Sequence, residues 1–428
     1  MTATTPPSGG ADTLAPELKT TTTQPVRDTL ILGDPTDKAA IRPFRFEASQ
    51  AELDDLRQRI LATRWPERET VTDDTQGVQL ATIQKLADYW ANAYDWRKIE
   101  AKLNAYPQFV TEIDGLDIHF LHVRSQHPNA LALIVTHGWP GSVIEQLKII
   151  EPLTNPTAFG GSADDAFDIV IPSIPGYGFS GKPSTAGWGP ERIAKAWDVL
   201  MKRLGYDEYV AQGGDWGSMI TDLLGADAPA GLLGIANNMA AAIPPEIDAV
   251  AIAGGPVPAG LDEEETRAFE HVAFFYKHGL GYAIEMANRA QTLYGLADSP
   301  VALASWIIDH DIWTYRQIVN LFDGGEEGLT RDDILDNITL YWLTNTGVSS
   351  ARLYWENKNA FFGPKGVKVP AVVSAFPEEI CPIPRKWAEA AYPQLIYYRQ
   401  HPVGAHFAAW EQPAALVDDL RNGFRSLR

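Results

Sequence analysis

The sequence predicts an α/β protein: a mostly parallel sheet flanked by helices, with a helical cap inserted into it and a helical segment ahead of it. Three observations carry this expectation. Leu131-Ala132-Leu133-Ile134-Val135-Thr136 and Asp168-Ile169-Val170-Ile171-Pro172 are short, solidly apolar runs of the kind buried on both faces of a parallel sheet. Helical stretches separate such runs. Residues 243 to about 350 then break the alternation with a mainly helical block, after which strand character returns.

Each element has its own local signal. Residues 1 to about 40 are rich in Thr, Pro, Ala and Gly without apolar periodicity, so they read as a flexible arm (1–40). Ser49 and Glu52 have capping-box spacing, and Leu53, Leu56, Ile60 and Leu61 recur at helical intervals before Pro66. A second helical stretch over 77 to 104 carries Trp90, Tyr94 and Trp96 as packing surface, which completes an N-terminal segment (41–107) packed on the core. Asp114-Gly115, flanked by the β-rich runs 109–113 and 118–123, is a strong hairpin signal. The core is expected over 108–242 and 356–428, and the cap over 243–355. Thr330 and Asp333 open a helix through Ile334, Leu335 and Ile338 inside that cap, while Val367 to Val373 and Leu395 to Tyr398 read as returning strands.

Composition narrows the function. The chain has 428 residues, enough for one large core with appended pieces. Its 35 basic and 55 acidic residues give a net charge of −20, which repels phosphate backbones and anionic headgroups; a small neutral substrate fits better than nucleic acid or a membrane surface. The single cysteine, Cys381, excludes an intrachain disulfide and is expected to be a packed thiol. The N-terminus has no basic region followed by an apolar one, and no apolar run approaches ~18 residues. We therefore expect a soluble, cytoplasmic protein without a membrane anchor; a homo-oligomer is neither required nor excluded. The nine histidines lack zinc-type spacing and Gly160-Gly161 lacks the phosphate-loop spacings, so neither a metal nor another cofactor is expected. His119 and His122 lie on a strand pattern and read as packing.

The chemistry concentrates at Tyr209-Val210-Ala211-Gln212-Gly213-Gly214-Asp215-Trp216-Gly217-Ser218, which reads strand, sharp turn, helix. A nucleophile elbow needs small residues two before and two after its central residue, because strand and helix approach closely there. Here the elbow presents a carboxylate. The plain alternative is a Gly-rich turn with a helix-capping Asp. His137-Gly138-Trp139-Pro140-Gly141-Ser142 directly follows the buried strand 131–136. In α/β-hydrolases that loop gives one oxyanion-hole N–H and the residue after the nucleophile gives the other, here Trp139 and Trp216. A Trp that merely packs the loop is the alternative. Gly404-Ala405-His406-Phe407, beyond the strand 395–398, places an imidazole on a small-residue loop, with His401 as its competitor. Phe376-Pro377-Glu378-Glu379 supplies a carboxylate to orient it. The chain order Asp215, Glu379, His406 is nucleophile, acid, histidine, as the hydrolase fold requires. No Gly-x-Ser-x-Gly is present, which argues against serine esterase chemistry.

Together with Tyr94-Asp95-Trp96-Arg97 to Pro107-Gln108-Phe109, Thr111 to Gly115 and PGYGFS at 175–180, these motifs (HGWPGS at 137–142, GGDWGS at 213–218, HFAAWEQP at 406–413) strongly resemble epoxide hydrolases of the microsomal type, over about residues 40 to 428. The resemblance implies an α/β-hydrolase fold and two cap tyrosines that donate hydrogen bonds to the epoxide oxygen, at positions matching Tyr282 and Tyr354. It aligns the family's acid with Glu379 rather than its neighbour Glu378. A membrane-anchoring helix like that of the animal enzymes is not expected here, so the resemblance does not carry their membrane location over. A carboxylate of ordinary pKa near ~4 is already ionised and can attack a saturated ring carbon without a base, which leaves the histidine free for the next step. The expected reaction forms a hydroxyalkyl ester on Asp215 while Tyr282 and Tyr354 protonate the alkoxide. Water activated by His406 then releases a vicinal diol, so the expected partners are a small neutral epoxide and water. Two other readings stay open: a haloalkane dehalogenase using the same three residues, in which Trp N–H groups cradle halide, and a non-catalytic binding protein of the same fold.

Overall fold

The computed structural model describes residues 37–325 and 328–428; residues 1–36 of the expected arm lie outside them. Nine strands form one sheet: β1 (Arg42–Pro43), β2 (Gln108–Ile113), β3 (Leu116–Val123), β4 (Leu131–Thr136), β5 (Phe167–Pro172), β6 (Tyr209–Gly213), β7 (Leu232–Asn237), β8 (Ala371–Ala375) and β9 (Leu395–Gln400). Their order is β1-β2-β3-β5-β4-β6-β7-β8-β9, antiparallel as far as the β3–β5 pair and parallel thereafter. Every residue of β4, β5, β6 and β8 is buried, as strands covered by helices on both faces require. The β2–β3 hairpin turns on Asp114 (φ 52°) and Gly115 (φ 81°), the two positive φ values that a tight primed turn demands.

The Ser49–Glu52 capping box opens helix Gln50–Leu61, and the Thr330–Asp333 box opens Arg331–Thr344. The stretch expected as one helix over 77 to 104 is two, Leu80–Asn92 and Trp96–Ala105, because Asp95 accepts from the Arg97 N–H and starts a new helix. A second difference concerns the strand expected at 367–373. Pro370 has no N–H to give a sheet, so β8 begins only at Ala371, while Lys368 N donates to Gly225 O at the end of helix Trp216–Asp227.

Between β7 and β8 the chain forms a helical layer that includes Glu263–Phe274, Gly281–Arg289, Pro300–Ile308, Ile312–Phe322, Arg331–Thr344 and Gly347–Glu356. The N-terminal helices hold this layer from outside: Trp90 Nε1 donates to Thr339 Oγ1 (2.9 Å), and Tyr94 and Tyr89 donate to Asp336 and Asp332 (2.8 Å each). From inside, Asn337 Nδ2 donates to Pro140 O (2.6 Å) and Tyr341 donates to Gly141 O (2.8 Å), fixing the layer on the loop after β4. Among the described residues no helix is long and apolar enough to cross a membrane.

Candidate active site

Asp215 stands between β6 and helix Trp216–Asp227 with φ 52° and ψ −123°, a strained conformation for a residue with a side chain. The flanking glycines make that bend sterically feasible. A Cβ on Gly213 would come within 2.0 Å of Gly217 O, and a Cβ on Gly217 within 2.0 Å of Thr136 O, so strand and helix backbones approach with no room for a methyl group. The turn therefore raises the carboxylate above the C-terminal edge of the parallel strands, where α/β sheets place their chemistry.

That carboxylate, 6% exposed, is held from two sides. Trp139 N–H donates to its Oδ1 (2.7 Å), and its Oδ2 lies 3.8 Å from His406 Nε2. The N–H of Trp216 is the first of its helix and has no intrahelical acceptor. His137 braces the Trp139 loop: its Nδ1 meets Gly138 O (3.0 Å) and its Nε2 accepts from Ile174 N (3.1 Å), while burial lowers its pKa to about 4 and keeps the ring neutral.

Behind His406, Nδ1 meets Glu379 Oε1 at 2.6 Å, with both side chains 1% exposed. Glu379 Oε1 also accepts from Ile380 N (2.8 Å). The neighbouring Glu378 is exposed, and its backbone pairs with the histidine loop through Glu378 N to Gly404 O (3.1 Å), which registers the acid loop against the imidazole loop. His401 is engaged elsewhere, bonded to Asp419 Oδ2 (2.6 Å) and stacked on Phe376. Burial disfavours the charged form of His406, but the charges of Glu379, then Asp215 and Asp311, outweigh it and hold its pKa well above the usual imidazole range.

The two cap tyrosines come together over this centre because helices Gly281–Arg289 and Gly347–Glu356 pack side by side. The Tyr282 ring stacks on Trp139 (centroids 4.9 Å, 15°), and Tyr354 stands edge-on to Trp216 (4.8 Å, 82°) and 6.0 Å from Tyr282. Burial, with the nearby Asp215 charge adding to it, pushes both phenols well above their ordinary pKa, so both hydroxyls remain proton donors. A cleft of about 510 Å³ between the Asp74–Gly77 loop and cap residues Phe274, Phe275 and Gly279 leads to Tyr282 and Asp311.

Two side chains that the sequence reading did not single out also reach this centre. His310 Nδ1 meets Asp311 Oδ2 (3.0 Å) and its ring lies 4.5 Å from that of His406. A ring nitrogen of His310, a carboxylate oxygen of Asp215 and a ring nitrogen of His406 all lie within 4.8 Å of one another. Its only local signal was an adjacent His-Asp pair ahead of a cap helix, with Asp311 as N-cap. Glu145 is the other: a carboxyl buried in the short turn Val143–Gln146, whose pKa burial raises to about 8, with His406 opposing that shift and Asp215 adding to it. A charged residue amid Ser-Val-Ile-Glu-Gln-Leu was the available clue.

Comparison with known proteins agrees with this geometry. The family described as "Epoxide hydrolase N terminus" matches residues 41–146 and the "alpha/beta hydrolase fold" family matches 132–277. A relative from Stigmatella aurantiaca is 49% identical over 390 residues, 91% of this chain and 86% of its own. "Epoxide hydrolase 1" of Oryctolagus cuniculus is 38% identical over 399 residues, 89% of this chain and 88% of its own. The crystal structure of juvenile hormone epoxide hydrolase from the silkworm Bombyx mori superimposes with a TM-score of 0.81 at 30% identity, covering 92% of this chain and 96% of that one. On this similarity along nearly the whole chain, the protein belongs to the epoxide hydrolase family.

Proposed function

We propose that this epoxide hydrolase works through a covalent ester on Asp215 and that a small neutral epoxide and water are its substrates. The observation that carries the reading is the environment of one carboxylate. Asp215 sits on a strained elbow, with one oxygen on the Trp139 N–H (2.7 Å) and the other 3.8 Å from an imidazole that Glu379 anchors from behind.

The first half of the reaction uses the anion. Asp215 Oδ2 displaces the ring oxygen at carbon, and the developing alkoxide takes a proton from Tyr282 or Tyr354, donors whose high pKa keeps the proton available until oxygen needs it. Ester formation removes the negative charge of Asp215, one of the charges that hold His406 in its protonated form, and so shifts the ring toward the neutral base needed next. In the second half, His406 takes a proton from water as the water attacks the ester carbonyl. The N–H groups of Trp139 and Trp216 stabilise the oxyanion, each such donor being worth about 10²–10³ in rate. In this reading residues 41–107 wrap the core, 108–242 and 356–428 carry the triad, and 243–355 form the cap that brings the tyrosines. A cytoplasmic location belongs to the same proposal and is supported by the −20 charge and the single cysteine.

Paired phenols over the carboxylate favour an epoxide over an alkyl halide, because halide leaves without protonation. The test is turnover of styrene oxide and 1-bromobutane by the wild type and Asp215→Asn. Diol formation lost in the variant supports the proposal; halide release without diol, or turnover that survives the substitution, refutes it.

A further inference from the structure

Glu145 lies beside the reacting carboxylate with no role in the reaction described so far. Among the described residues no salt bridge reaches it, and only the His406 charge, the Gln146 amide and the Ser142 N–H favour its ionised form; Oε1 accepts from Gln146 Nε2 (2.7 Å), and Oε2 is buried without a well-formed hydrogen bond. An unpaired buried carboxyl is costly, so a fold that keeps one beside its nucleophile calls for a chemical reason. The backbone is shaped to admit it: a Cβ on Gly141 would lie 1.6 Å from Glu145 Oε2, so only glycine at 141 leaves room for this carboxyl.

The space it faces is specific. A void of about 10 Å³ is bordered by Glu145, Asp215, His406, Asn238, Gly138 and Gln146. That is close to the smallest volume that holds one water molecule, and too little for any part of an organic substrate. Two further bordering residues carry a buried polar atom without a partner: Gln146 Oε1, and His406 Nε2, the nitrogen assigned above as base. Once ester formation has made His406 neutral, these polar atoms around one single-water space, bordered also by Asp215, describe a holder for the nucleophilic water.

We infer that Glu145 is a positioning residue for ester hydrolysis: its Oε2 and His406 Nε2 hold between them the water that opens the Asp215 ester. This rests on the covalent reading above. The water gives one hydrogen to His406 Nε2 and hydrogen-bonds through the other to Glu145, which turns an oxygen lone pair toward Asp215 Cγ. Its oxygen forms a bond to Cγ, the Cγ–Oδ2 bond breaks, and the diol leaves with Oδ2 and the proton held by His406. The remaining hydrogen leaves Asp215 as it returns to carboxylate, and replaces the proton that a tyrosine gave to the alkoxide. Glu145 touches neither the epoxide nor its oxygen, so ester formation does not require it.

That separation defines the test. For a two-step reaction kcat/KM reports ester formation, whereas kcat includes hydrolysis. Glu145→Ala is expected to lower kcat by about tenfold or more with KM falling in parallel, to leave kcat/KM within about threefold, and to accumulate ester detectable by intact mass after acid quench. Glu145→Gln, which keeps a hydrogen-bonding group in place, is expected to recover part of the loss. Gly141→Ala displaces the carboxyl without deleting it and should give the same signature, so the test survives a Glu145→Ala protein that does not fold. A fall of kcat and kcat/KM together, or no change in either, overturns the inference. His406→Gln serves as control: ester in His406→Gln but not in the Glu145 and Gly141 variants defeats this inference alone, and ester in none of them defeats the covalent reading with it.

Discussion

Replacing Glu379 by Gln changes one atom type in the buried ion pair that anchors the His406 imidazole. The contact between Glu379 Oε1 and His406 Nδ1 is 2.6 Å, and neither side chain is more than 1% exposed. With charge centres about 4 Å apart and an effective dielectric constant of about 20, the lost attraction is about 4 kcal/mol, or about 3 pKa units of support for the imidazolium. Burial, which Glu379 normally outweighs, then dominates and the imidazole pKa falls. Two effects of opposite sense follow. Hydrolysis needs the neutral ring, so its rate rises with pH through the imidazole pKa, and that limb moves to lower pH in the variant. The plateau drops by about 10²–10⁴, because the carboxylate that fixes the tautomer and stabilises the charged ring is gone. Rapid-quench measurement of ester formation and decay from pH 5 to 10 separates the two steps. Ester formation should change little. A limb that moves to higher pH, or a plateau within threefold of the wild type, would refute the assignment of Glu379 as the partner of His406.

Three further outcomes follow. Tyr282→Phe and Tyr354→Phe should each slow ester formation by about 10²-fold and leave hydrolysis nearly unchanged, read by stopped-flow fluorescence of Trp139 and Trp216, whose rings contact these phenols. Gly217→Ala places a methyl group 2.0 Å from Thr136 O and 2.8 Å from His137 O, backbone atoms that cannot step aside, so urea denaturation should show a loss of about 3 kcal/mol or more. Glu145 has a folded-state pKa of about 8, above the ~4.3 of an unfolded glutamate, so its contribution to stability is present below ~4.3 and is lost as pH rises toward 8. Glu145→Gln should flatten that decline between pH 5 and pH 8 in denaturation experiments, and parallel slopes for the two proteins would contradict it.

Much of the fold was legible because its signals are local. The Asp114-Gly115 turn, the Ser49–Glu52 and Thr330–Asp333 boxes and the apolar runs of β4 and β5 each depend on a few neighbouring residues. The two departures were also local: Asp95 caps a new helix inside an unbroken apolar pattern, and Pro370 delays β8 within a run of valines. At the site, Asp215, Glu379 and His406 could be read because each follows a strand and the fold fixes their chain order. Tyr282 and Tyr354 came only through family resemblance; nothing around them differs from other aromatic packing positions, and their pairing arises from two helices distant in sequence, Gly281–Arg289 and Gly347–Glu356, folding onto one another. His310 and Glu145 were missed for the same reason. Their neighbours lie in loops that long-range contacts bring together, such as the Asn337 and Tyr341 bonds between cap and core.

The central claim is that Asp215 itself bonds to the substrate, and the path of one oxygen atom tests it. In a single turnover with enzyme in excess in heavy-oxygen water, the diol should carry only light oxygen, one atom from the epoxide and one from Asp215. The peptide containing Asp215 should take up the heavy atom instead. Heavy oxygen in the first-turnover diol, with none in that peptide, would mean that water opens the ring directly and would contradict the account.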